Sequence, residues 1–312
     1  MGKTSLLLRP APRIQMIDGV RWNIFVDPAM LKQASEFLPQ DKDIILVSFP
    51  KCGSHWVSQI TQLLLNQGQS SSNYREFVKK APFLEFQGEA SFHDQPAPRT
   101  IRTHLPVDKI RFNGRAKYIY VARNPWDCCV SCYHFVKALP SFGFQEGTFN
   151  DFVDTFLGGD WGFGGFFDHV RSGFDRMSEP NVFVVTYEEI AKDKSGTVLR
   201  LARFLGEKYE RMLLDNPEIL QSVLYKSTTQ FMRTILDTRL EEVQALFMKN
   251  PGLASKKVCV ESEGINRGFT RFNYVRKGKV GDWRKHFSSD QLRRVRSTIE
   301  DKTKDSNVMS LW

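Results

Sequence analysis

Cysteine is scarce and irregularly placed. Only Cys52, Cys128, Cys129, Cys132 and Cys259 occur in 312 residues, and an odd count without regular spacing argues against a secreted disulfide framework. Cys129 and Cys132 form a C-x-x-C pair, but no second cysteine or histidine pair at metal-ligand spacing accompanies it. The pair also lies in a stretch that reads as helix, so the thiols are expected in a packed, reduced interior. Long apolar runs are missing too. Nothing approaches the ~20 residues of a membrane span. The run Leu6 to Leu8, followed by Arg9 and Pro10, is too short for a secretory signal, and Leu6 stands where a myristoylation motif needs Ser or Thr. These absences point to the cytoplasm. Internal repeats, low-complexity tracts and linkers are likewise absent, so residues 1–312 read as a single domain with its core over about 40–290.

What is present is an ordinary globular composition, 41% hydrophobic and 25% charged, with a net charge of +9. The basic residues are dispersed instead of forming one block. The charge fits plain solubility, and as a ligand signal it argues against nucleic acid and for a small phosphate-bearing ligand.

Residues 43–49 (DIILVSF) form a continuous apolar, β-branched run, the pattern of a strand buried on both faces. Trp56, Val57, Ile60, Leu63 and Leu64 then recur at helical spacing, predicting an amphipathic helix over 55–66. Residues 99–103, 117–122 (KYIYVA) and 182–186 (VFVVT) are further strands. Helices are expected from Trp126 to about Lys137 and from about Glu188 to Leu205. Such alternation implies an α/β fold, a central, mostly parallel sheet flanked by helices. The stretch 158–167 (GGDWGFGGFF) reads as irregular, and 236–265 as a loop or lid.

In such sheets ligands sit at the carboxyl ends of the strands. The turn Pro50–Lys51–Cys52–Gly53 occupies such an end and opens a helix, whose N-terminal N–H groups and dipole favour an anion. Lys51 adds charge, Gly53 permits close backbone approach, and Ser54 and His55 add polar groups. Taken alone, the turn also fits an ordinary strand-to-helix connection. It is not a Walker A loop, where lysine follows the last glycine. Gly2–Lys3–Thr4 has that tail but no strand or glycine before it.

Phe49–Trp56 (FPKCGSHW) resembles the phosphosulfate loop of the cytosolic sulfotransferases. Other segments match that family in order: Pro82–Phe86 (PFLEF), Pro96–Arg99 (PAPR) with Thr103–Pro106 (THLP), Tyr120–Asn124 (YVARN) with Ser131–Phe135 (SCYHF), Tyr187–Glu188, and Arg276–Gly278 (RKG) with Gly281–Trp283 (GDW). The matches run from about residue 43 to 287. The resemblance implies a P-loop-like phosphosulfate-binding loop and a reaction that moves a sulfuryl group from 3′-phosphoadenylyl sulfate (PAPS) to a hydroxyl or amine, leaving adenosine 3′,5′-bisphosphate (PAP), with no metal. It implies Lys51 at the bridging oxygen, Cys52, Gly53, Ser54, His55 and Trp56 around the 5′-phosphate and adenine, and Arg123 and Ser131 on the 3′-phosphate. Arg276, Lys277 and Gly278 would close over that phosphate, and Tyr187, Ser227 or Thr228, and Met232 would line the adenine site. His104 is the implied general base, and Phe83 and Phe135 line an apolar acceptor pocket for a phenol, a catecholamine-like amine, a steroid or another alcohol. The competing readings are an ATP-dependent kinase of related fold, which would need Mg²⁺, and a non-catalytic nucleotide-binding protein.

Departures from the family pattern are explicit. His55 replaces a threonine, and Arg102 stands where lysine is usual. The family's short dimer motif is not matched at Arg284, Ser288, Ser289 and Arg293, so the usual homodimer is not implied by it.

Overall fold

The structure, a computed structural model, describes residues 10–247 and 271–312. An antiparallel ribbon of β1 (Ile14–Ile17) and β2 (Val20–Asn23) precedes α1 (Pro28–Glu36). The chain then runs through β3 (Ile44–Ser48), α2 (Ser54–Leu65), α3 (Tyr74–Lys80), α4 (Leu84–Gln87), β4 (Thr100–Thr103) and β5 (Lys117–Ala122). Next come α5 (Pro125–Ala138), α6 (Phe149–Gly158), α7 (Phe166–Phe174) and β6 (Val182–Thr186). After these follow α8 (Tyr187–Lys192), α9 (Lys194–Leu205), α10 (Glu207–Asp215), α11 (Pro217–Lys226) and α12 (Thr229–Ile235). β7 (Asp237–Arg239), α13 (Leu240–Phe247), β8 (Arg271–Asn273) and a C-terminal helix, Ser289–Thr303, complete the described strands and α-helices.

Four strands form a parallel sheet in the order β4-β3-β5-β6. Every residue of β3 is buried, because both faces of the sheet are covered. Ile44 and Leu46 face Val57, Ile60, Leu63 and Leu64 of α2 and Val198, Leu201 and Leu205 of α9. Ile45 and Val47 face the opposite core, rich in aromatics: Phe49, Phe142, Phe152, Phe156, Trp161 and Phe166. Two covered faces account for the absence of polar alternation in the strand, and each such side chain contributes about 1.5–3 kcal/mol on burial.

β3, β5 and β6 each run directly into a helix, so α2, α5 and α8 all begin at one edge of the sheet. Asn124 caps α5, its side-chain oxygen accepting from Asp127 N at 2.8 Å, and Thr186 caps α8 in a reciprocal capping box with Glu189. The ends of α2, α5 and α8 therefore define where a ligand can meet several helix starts at once.

Two expectations need correction. The helix expected from about Glu188 to Leu205 is two helices, because the Asp193 carboxylate turns back to accept from Gly196 N at 2.9 Å and caps a new start. Residues 236–247, expected to be loop, carry β7 and α13, while 248–265 lie outside the described residues. The segment 159–165 is irregular. Its Gly162, at φ 97°, lies so close to β2 that an added Cβ would fall 2.3 Å from Asn23 N. Asn23 N donates to Gly162 O at 2.9 Å, tying the N-terminal ribbon to this loop. Among the described residues no helix is long and apolar enough to cross a membrane.

Candidate active site

The strand ends open into a cleft with about 1150 Å³ of empty space, including its mouth. One wall is the turn after β3. Lys51 has φ 67° and Gly53 φ 111°, a tight curl that the glycine enters without strain and the lysine does not. A Cβ on Gly53 would stand 2.9 Å from the Tyr187 ring. α2 starts with no side-chain cap, which leaves first-turn N–H donors for an anion. The Lys51 ammonium lies 4.4 Å over the Phe135 ring and 5.7 Å over Tyr274. Burial, reinforced by Arg123 and Arg276, pushes its pKa down to about 8. An anion placed beside it would restore the charge that desolvation disfavours.

Arg123, at the end of β5, is buried and stacks over Tyr187 at 4.3 Å. Its Nη1 donates to Lys51 O at 3.3 Å and its Nη2 to Lys279 O at 3.2 Å, while Nε is buried without a partner. Ser131, two turns into α5, lines the same cleft. The segment 276–278 arrives from far along the chain and completes this end. Arg276 and Lys277 each pair with Asp282 at 2.8 Å. Burial acts against ionisation of Asp282, but Lys277 and Arg276 outweigh it and hold the carboxyl well below the usual carboxylate range. Asp127, at the start of α5, accepts from Gly281 N at 2.6 Å and Trp283 N at 3.0 Å, which seats the segment.

Trp56 donates from Nε1 to Ser227 O at 2.8 Å and packs on Tyr187 at 4.9 Å. Met232, Ser227 and Thr229 complete that region. Thr228 does not: it caps α12, accepting from Phe231 N at 3.2 Å and donating to Tyr225 O at 2.7 Å. Thr229, the first residue of α12, lines the cleft instead. Cys52 is also outside the cleft, buried with its Sγ 3.7 Å from that of Cys128.

His104 follows β4. Its Nδ1 lies 2.7 Å from Ser48 O, and a carbonyl only accepts, so Nδ1 carries the proton and Nε2 is the bare basic nitrogen. Burial pushes its pKa down to about 3, so the ring is neutral near pH 7. Two side chains hold its backbone. Glu85 Oε1 accepts from His104 N at 2.8 Å, and His169 Nε2 donates to His104 O at 3.1 Å, with His169 Nδ1 placed 2.7 Å from the Tyr120 hydroxyl. Burial raises Glu85 to about 7. Neither Glu85 nor His169 was a sequence candidate. Glu85 lies within the PFLEF segment, which was its only signal.

The wall around His104 is apolar: Phe83 at 4.7 Å and Phe163 at 5.8 Å between centroids, then Phe25, Phe86, Phe135, Leu139 and Phe142. Arg102 lies behind this wall. It is fully buried, donates from Nε to Ala81 O at 2.5 Å, and its guanidinium sits 4.1 Å from the Phe83 ring centroid.

Cations from the turn, from β5 and from the 276–278 segment converge at one end of the cleft, and a neutral imidazole with a free basic nitrogen sits among aromatics nearby. Fold and site together define a transferase that draws its group from an anionic nucleotide-like donor. The chain belongs to the sulfotransferase family, whose domain model matches residues 41–307, and it is a sulfotransferase. It is 31% identical over 296 residues to the 3-alpha-hydroxysteroid sulfotransferase of Cavia porcellus, covering 91% of this chain and 92% of that protein. It is 26% identical over 292 residues to an amine sulfotransferase of Oryctolagus cuniculus, covering 92% and 89%. Its fold matches mouse sulfotransferase SULT7A1, solved in complex with PAP, with a TM-score of 0.69 and 22% identity over 96% of this chain and 97% of that one.

Proposed function

We propose that this chain, one sulfotransferase domain, transfers the sulfuryl group of PAPS to the hydroxyl of a small, neutral, apolar acceptor. His104 is the general base and Lys51 the stabiliser of the leaving phosphate. The observation that carries the reading is the 2.7 Å contact between His104 Nδ1 and Ser48 O, which fixes Nε2 as acceptor inside a cleft that also holds Lys51.

The residues fit the nucleotide. Gly53 has no room for a side chain beside Tyr187, the first turn of α2 is uncapped, and the buried Arg123 Nε has no protein partner. Gly53, Ser54 and His55 would hold the 5′-phosphate, with Trp56 and Tyr187 against adenine. Arg123, Ser131, Arg276, Lys277 and Gly278 would hold the 3′-phosphate, their forked donors matching its charge. The bound donor supplies an activated sulfuryl group. Lys51 stabilises the charge that develops as the bridging oxygen leaves. His104 Nε2 takes the acceptor's proton, which turns a weak hydroxyl nucleophile into a competent one. Glu85, Ser48 and His169 hold the ring in place for that transfer.

The acceptor class follows from the walls. Relatives are named for steroid and amine acceptors. Here the region around His104 is phenylalanine and leucine, and no described residue lining the cleft is a carboxylate that would pair a protonated amine. The described cysteines are free and buried, in keeping with a reducing cytoplasm. The test is transfer of labelled sulfate from PAPS to a panel of phenols, steroids, aliphatic alcohols and amines. Turnover of neutral hydroxyl compounds is expected. Turnover confined to amines would overturn the acceptor assignment, and none with any acceptor would overturn the reaction.

A further inference from the structure

The loop resemblance implies threonine at position 55, and the ring of His55 is engaged in a way that no threonine side chain can reproduce. The imidazole stacks on Tyr274 with centroids 4.5 Å apart and planes 25° apart, and on Phe77 at 5.7 Å and 16°. Tyr274 stacks in turn on Tyr74 at 5.0 Å, and the Tyr74 hydroxyl donates to that of Tyr274 at 2.7 Å. Tyr74 and Phe77 are neighbours on one face of α3, so the helix braces both ends of a column running Phe77, His55, Tyr274, Tyr74. His55 belongs to the first turn of α2, beside Lys51. Tyr274 lies two residues before Arg276. The column therefore joins the two segments assigned to opposite phosphates of the nucleotide.

Packing makes this joint, since His55 Nε2 is buried without a hydrogen-bond partner. Burial, then Arg102 and Lys51, push the imidazole well below its ordinary pKa, so the ring stacks uncharged. The backbone of the segment is held separately, by Arg233 donating to Val275 O at 3.2 Å and Arg276 O at 2.8 Å from an exposed position.

We propose that His55 is a positioning residue that couples the phosphosulfate loop to the Arg276–Gly278 segment, so that the 5′ and 3′ ends of the nucleotide are bound as one unit. The proposal rests on the nucleotide reading above. It makes His55 a determinant of donor affinity and of selectivity for the 3′-phosphate, with no part in proton transfer.

The experiment compares calorimetric affinities for adenosine 3′,5′-bisphosphate and adenosine 5′-phosphate. The advantage conferred by the 3′-phosphate is their ratio. In His55→Thr the ratio is expected to fall about tenfold, the size of one aromatic contact expressed as affinity. His55→Phe keeps a stacking ring and is expected to hold the ratio within about twofold of wild type. Tyr274→Leu is expected to lower it, and the double variant His55→Thr/Tyr274→Leu to lose little more than either single variant, because both break one joint. Equal weakening of both ligands in His55→Thr, or additive losses in the double variant, would overturn the coupling. If His55→Thr does not fold, loss in Tyr274→Leu with retention in His55→Phe still decides for the proposal, and the reverse decides against it. A wild-type protein indifferent to the 3′-phosphate would sink the nucleotide reading itself, a distinct result.

Discussion

The pKa of Lys51 is pushed from 10.5 to about 8, first by burial and then by Arg123 and Arg276. At 1.36 kcal/mol per unit, that shift measures roughly 3 kcal/mol of interaction lost to the charged form. An anion bound beside the ammonium returns part of it and raises the pKa. The sign follows: binding takes up protons, and affinity is greatest below pH 8. It weakens by up to about tenfold per unit as pH rises from the free-state pKa toward the bound-state one. At pH 8, where about half the free protein carries the Lys51 proton, PAP binding is expected to take up about half a proton. Titration calorimetry in two buffers of different ionisation enthalpy measures that number directly. Lys51→Met is expected to bind more weakly with no uptake. Lys51→Arg, charged throughout, should bind without uptake and without the alkaline loss. Undiminished uptake in Lys51→Met, or none in the wild type, would refute the argument that this lysine is desolvated and faces the nucleotide.

Other outcomes follow from the same geometry. His104→Ala should lower kcat by about a hundredfold or more while leaving PAP affinity unchanged, as single-turnover kinetics and calorimetry would show; near-normal kcat removes the residue from proton transfer. Because the His104 ring is neutral until about pH 3, the acid limb of kcat/KM should lie below the ordinary histidine range, and a limb near 6.5 that His104→Ala abolishes would contradict this. Arg123→Ala should weaken adenosine 3′,5′-bisphosphate far more than adenosine 5′-phosphate; an unchanged preference would refute the contact with the 3′-phosphate. Gly162→Ala, which drives a Cβ into Asn23 at φ 97°, should destabilise the fold by more than about 1 kcal/mol in denaturant unfolding.

β3 was legible because a strand buried on both faces tends to be apolar throughout, as DIILVSF is, and the helix after it because its apolar residues recur at helical spacing; β4, Thr-Ile-Arg-Thr, is buried although mostly polar and carries no such signal. The division of the last expected helix at Asp193 was not legible. A carboxylate that caps a new start competes with continuation, and spacing of apolar residues does not register that competition.

The chemistry divides along the same line. Residue types at a strand end were enough to single out Lys51 and Gly53, because an anion needs a cation, a tight glycine and a helix start, whereas His104, Arg123 and Arg276–Gly278 were candidates through the resemblance of their segments to the sulfotransferases. Only the tertiary structure decided which nitrogen of His104 is basic, since that depends on Ser48 O, 56 residues away. It also supplied Glu85 and His169, which hold His104 from 19 and 65 residues away, turned Thr228 from the cleft and admitted Thr229, and made His55 part of a ring column. Each of these depends on where distant backbone segments meet, and the register between segments is set by packing across the sheet, not by local pattern.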